Sequence, residues 1–142
     1  MTLAAGILVA VQVAIGMVVN LYVTVPAHHP GAKPANYFTG SFHSVVWAIG
    51  SSPVALAVHA SLGLALVLIA LAVAVRAVAL RAGRVAYVSA LAAALVIGAG
   101  FNGACFLDFA GQRISSLLMA LLALGALACY LVSGYLLASW RR

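Results

Sequence analysis

The chain has 142 residues, of which 67% are hydrophobic and 6% charged, whereas soluble domains carry about 25% charged residues. That excludes a water-soluble fold, because one domain of this length cannot hide so much apolar surface. The net charge of +6 sets seven Lys and Arg against one acid, Asp108, yet it implies no nucleic-acid partner: Arg76, Arg81, Arg84, Arg141 and Arg142 sit at two ends of apolar segments, where membrane topology is encoded.

Lipid offers the backbone no hydrogen-bond partners, so each crossing takes about 20 apolar residues in helical form. Four segments qualify. The chain is therefore read as a single all-α transmembrane domain over 1–142, an up-and-down four-helix bundle. The first span covers about 3–25; it has no basic n-region and outruns a signal-peptide core, so it is expected to be retained. Pro26 and the run Ala27-His28-His29-Pro30-Gly31 stop it.

The first loop, 26–52, is long. Its second half, Tyr37 to Ile49, is too short to span and too apolar to float in water, which predicts an interfacial helix or a lid over the bundle. The second span, about 53–80, opens on Ser51-Ser52-Pro53, a cap followed by proline at the first helical position. The third covers about 85–107. Its small residues at four-residue spacing, Ala94 with Gly98 and Ala99 with Gly103, predict close approach to a neighbouring helix. The fourth covers about 114–139.

Three arginines lie between spans two and three and two at the C-terminus, against Lys33 in the first loop and Arg113 in the third. By the positive-inside rule both termini are expected in the cytoplasm of a bacterial cell, with the protein in its inner (plasma) membrane. Tyr87 and Trp140 then mark the inner headgroup level, and Tyr22, Trp47 and Phe109 the outer one. The arginines also meet anionic headgroups, a contact needing no specific site.

Polar side chains inside lipid are costly, so their positions carry the functional signal. His59 is six residues past Pro53, about 9 Å down its helix. Asn20 precedes Pro26 by six residues and Asn102 precedes Asp108 by six, so the three are expected at one depth, converging in an outward-facing polar pocket with Ser115 and Ser116 slightly above. Two readings stand side by side. In one, Asn20, His59 and Asn102 are interhelical glue, each worth on the order of 1 kcal/mol. In the other, His59 is a ligand or proton carrier, and Gly63, one turn deeper on the same face, leaves a gap for a flat ring.

His28, His29 and His43 in the first loop make a copper or zinc site with His59 conceivable, although the spacing matches no zinc pattern. Cys105 lies near the outer end of span three and Cys129 about 22 Å down span four, so they cannot pair with each other. Asp108 either pairs with Arg113 or caps the last span, or it anchors His43 or His59. There is no Walker loop, no nucleophile with a partnered base and no carboxylate pair, so hydrolytic chemistry is not expected.

A four-helix membrane bundle with a histidine in the outer half of span two, and a long outer loop carrying a short lipid-plane helix, resembles one half of the heme A synthase fold and, more loosely, the small b-type cytochromes. The resemblance implies haem b ligation by His59 and His43. Span four has no histidine, and the first loop lacks the paired cysteines and glutamate of heme A synthase. The Ala, Val and Arg content resembles that of high-GC bacterial, actinobacterial membrane proteins. The expected function is binding or electron transfer, with haem b or a quinone in the outer pocket. The alternatives are an accessory or scaffold subunit of a larger membrane complex or homo-oligomer, and a small transporter, for which the inner half offers only Ser89, Cys129 and Ser133 as a polar route.

Overall fold

The structure, a computed structural model, describes residues 1–139. The expectations resting on Trp140, Arg141 and Arg142 lie outside the described residues. Five helices follow one another, α1 (Thr2–Tyr22), α2 (Tyr37–Ser51), α3 (Val54–Ala79), α4 (Arg84–Asp108) and α5 (Arg113–Ser139), and there is no strand among the described residues. All but α2 are long and apolar enough to cross a bilayer.

α1 ends three residues earlier than the apolar run suggests. Val23 turns to extended backbone at φ −111°, and Val25 leaves the helix to join a buried cluster with Val19, Ala48, Leu56, Phe106 and Leu107. A residue before proline avoids the helical region in any case, and Val25 precedes Pro26. At the second span, Pro53 is the cap of α3 and not its first helical residue. The Ser52 hydroxyl donates back to the carbonyl of Ala48, so it closes α2 and leaves α3 without a side-chain cap.

Two turns have the same construction. The N–H of Ala82 reaches Ala77 O and that of Arg81 reaches Val78 O at the end of α3; Gly111 reaches Phe106 O and Ala110 reaches Leu107 O at the end of α4. These are Schellman endings, and each places a non-glycine residue in the left-handed region, Arg81 at φ 50° and Ala110 at φ 54°.

The four long helices form a closed ring of contacts: α1 touches α3 and α5, and α4 touches the same two. The closest packing is between α4 and α5. A methyl group at Gly98 would lie 3.3 Å from Leu122 and one at Gly103 3.4 Å from Met119, while Gly125 of α5 receives Leu95 in return at 3.3 Å. Small residues thus let the two backbones approach as expected, through Gly98 and Gly103; Ala94 is exposed.

α2 packs across one end of the ring, on α3 and α4. Its inward residues are Gly40, Ser44 and Ala48, spaced four apart, whereas Phe38, Phe42, Val46 and Ile49 point away and are exposed. Asn36 caps the helix, its side chain accepting from Thr39 N at 3.2 Å. Residues 23–36 and α2 together form a strap, and the chain's approach to α2 depends on two glycines. Gly31 sits at φ +93° against Gly40 O and Ser44, and Gly40 lies directly under Pro34, with no room for a Cβ at either position.

Candidate functional site

The polar residues fall into two groups, one inside the ring and one under the strap. Inside, His59 of α3 faces α1 and meets Gln12 and Gly16. Gln12 Nε2 donates to the carbonyl of His59 at 3.0 Å and lies 3.4 Å from His59 Nε2. A methyl group at Gly16 would fall 2.9 Å from the imidazole Cε1 and one at Gly63 3.0 Å from Gln12 Nε2. Gly16 makes room for the ring, and the gap at Gly63 is taken by the Gln12 amide.

This geometry fixes the chemistry of both side chains. Only the amide nitrogen of Gln12 can serve the His59 carbonyl, so the amide orientation is set. The same nitrogen makes His59 Nε2 an acceptor, which leaves the proton of the neutral ring on Nδ1. His59 Nδ1 and Gln12 Oε1 are both buried, and neither has a hydrogen-bond partner among the described residues. One buried donor and one buried acceptor are therefore free, at a cost of about 1–3 kcal/mol each while unmet.

Asn20 and Asn102 do not join this pair. Asn20 is exposed and accepts from the Ser116 hydroxyl at 3.1 Å; Asn102 donates to Gly98 O of its own helix at 2.9 Å. None of the three residues expected to converge bonds to another. Depth counted from helix ends assumes that the ends are level. Gln12 is ten residues from the end of α1 and His59 five from the start of α3, so their pairing puts the start of α3 about 7 Å below the end of α1.

Under the strap the centre is Asp108, only 1% exposed. Its Oδ2 accepts from the Ser41 hydroxyl at 2.8 Å and its backbone carbonyl from Lys33 N at 2.9 Å, while Oδ1 is buried without a hydrogen-bond partner among the described residues. The partner of the carboxylate is thus Ser41, not Arg113, which is exposed at the start of α5. His29 stacks on Trp47 with ring centroids 4.3 Å apart. Its Nε2 lies 3.1 Å from Leu107 O and its Nδ1 3.0 Å from Pro30 O, so each ring nitrogen faces a backbone carbonyl. His28 and His43 are exposed, His43 beside the edge of Phe42.

Tyr37 closes the strap on α4: its hydroxyl donates to Phe101 O at 3.2 Å and lies 3.3 Å from Cys105 Sγ. Burial first, then the contact with Cys105, push its pKa up to about 12, and Asp108 adds to the shift. The neutral phenol is thus the form that the docked strap prefers. A raised acid contributes stability below its unfolded value near 10, lost as the pH climbs towards 12. Hydrogen exchange over 37–51 is expected to accelerate in that window and to lose this step in Tyr37→Phe; an identical alkaline profile in the variant would show that the phenol plays no part.

Among the described residues no three His, Cys, Asp or Glu gather as a metal-binding group. Cys105 and Cys129 are both free thiols. Gln12, Gly16 and Ser41 are the site residues that the sequence reading omits. Gln12 was visible as a polar residue inside the first apolar span, four residues before Gly16. Ser41 carried no such signal.

No family model, no curated protein and no solved structure matches the chain.

Proposed function

We propose that the chain is a multi-pass protein of a bacterial plasma membrane, an up-and-down four-span bundle with both termini cytoplasmic, in which α2 lies along the outer surface as a lid. We propose further that it binds a quinone headgroup between α1 and α3, in the service of electron transfer. The observation that carries this reading is the pair of free buried atoms, His59 Nδ1 and Gln12 Oε1. A quinone carbonyl accepts from the first, and the hydroxyl of the reduced quinol donates to the second, so both redox forms of one ring find a partner.

Haem b fits these residues less well. The Nε2 of His59 faces the Gln12 amide, and His43, the other histidine the resemblance names as a ligand, is exposed on α2. The alternative, an accessory subunit of a larger membrane complex or a homo-oligomer, is supported by Asn20 and Asn102, which are satisfied by Ser116 and Gly98 as packing residues would be.

The test is solvent extraction of the chain purified in mild detergent, with assay of the extract for quinone. Near-stoichiometric quinone is expected, lost in His59→Ala while the four helices stay folded, because helix formation in lipid depends on backbone satisfaction. A reduced-minus-oxidised b-type spectrum would favour haem, and quinone retained by His59→Ala would remove this histidine from the site. For the orientation, a cysteine placed at Ala82 is expected to resist an impermeant reagent added outside intact cells; labelling there would invert the topology.

A further inference from the structure

At the end of the ring opposite α2, a cavity of about 250 Å³ opens between the ends of all four long helices. Val73, Ala77, Val85 and Leu137 give it apolar walls, and Arg76, in the last turn of α3, lines it as well. A second polar group lies against the cavity: Ser89 is fully buried, and its hydroxyl has no hydrogen-bond partner among the described residues. A buried hydroxyl is normally paired, so its freedom at a cavity wall points to a ligand.

The charge balance says which ligand. The one acidic side chain of the chain, Asp108, ends α4, 24 residues after Arg84, or about 36 Å away along that helix. No carboxylate side chain can neutralise Arg76 from within. We infer that this cavity is a binding site for the headgroup of an anionic phospholipid, whose phosphodiester meets Arg76 and whose glycerol oxygens reach Ser89. The volume supports a headgroup and not a whole lipid, since pockets that enclose a drug-sized ligand run from about 300 to 1,000 Å³; the acyl chains leave along the apolar walls into the bilayer. Basic pockets between spans recognise such headgroups in general. This site is independent of the one at His59.

Its test is the lipid retained by the full chain purified from nanodiscs of phosphatidylcholine doped with phosphatidylglycerol, read by native mass spectrometry. About one phosphatidylglycerol per chain is expected. Arg76→Gln is expected to lower its affinity at least about tenfold, beyond the roughly fivefold that one arginine contributes to unspecific surface attraction. Ser89→Ala, which removes a hydroxyl without a hydrogen-bond partner among the described residues, is expected to weaken retention too, and Arg81→Gln to leave it unchanged. Equal losses in Arg76→Gln and Arg81→Gln would reduce the effect to diffuse surface charge, and unchanged retention in Ser89→Ala would overturn the site. Displacement of the lipid by inorganic phosphate alone would assign the cavity to a free anion and overturn the lipid reading.

Discussion

Gly31→Ala is expected to peel the strap from the bundle while the four long helices stay formed. At φ +93° a side chain is strained in any surroundings, and here the added methyl would also overlap Gly40 O and Ser44. Strain of about 1–3 kcal/mol and overpacking of about 1–3 kcal/mol act together, for a total of about 2–6 kcal/mol. The strap is held by Ser41 on Asp108, Lys33 N on Asp108 O, Tyr37 on Phe101 O and His29 against Leu107 O, each worth about 0.5–1.5 kcal/mol net, more where the carboxylate takes part. The penalty is comparable to what these hydrogen bonds contribute together, so the strap loosens before the helices do. Hydrogen exchange is the direct measurement: amides in 31–51 should lose protection and those of α3 and α5 should not. Unchanged protection of α2 would mean that the loop absorbs the methyl elsewhere.

Gly16→Leu is expected to abolish quinone binding with His59 still in place. Even the first carbon of the new side chain falls 2.9 Å from the imidazole, and a leucine occupies the space that the ring now fills. The ring must turn away from α1, breaking its contact with Gln12 and withdrawing Nδ1 from the site. Overpacking of this kind costs about 1–3 kcal/mol in stability, whereas affinity should fall more than about tenfold, because the donor is lost outright. Gly134→Ala serves as the control: nothing lies within 4 Å of the added methyl, and alanine in a helix gains up to about 1 kcal/mol over glycine. Quinone retained at wild-type affinity by Gly16→Leu would place the ligand elsewhere.

The spans were legible because a bilayer imposes length and composition together, and the helical state of Tyr37 to Ile49 followed from an apolar run too short to cross. The composition of the polar site was less legible. Counting residues from a proline gives depth along one helix but neither the azimuth of a side chain nor the relative height of two helices. Asn20 and His59 therefore seemed level, while the true neighbour of His59 is Gln12, two turns deeper on α1. The role of Ser41 was hidden for another reason: its partner Asp108 is brought close by the fold of the first loop, which depends on Gly31 and Gly40 meeting backbone to backbone. The small inward stripe Gly40, Ser44, Ala48 did carry that information, since a helix showing Phe38 and Phe42 to the outside must press something small on the bundle.

The link between Ser41 and Asp108 spans 67 residues, and that separation sets an order of events during synthesis. At about 5–20 residues per second, roughly 3–13 s pass between the appearance of the two residues, and α3 and most of α4 are made in the interval. The hydrogen bonds that tie the strap to Phe101, Leu107 and Asp108 thus cannot form until the third long helix is nearly complete. Those hydrogen bonds therefore form late, after three of the four long helices have been made.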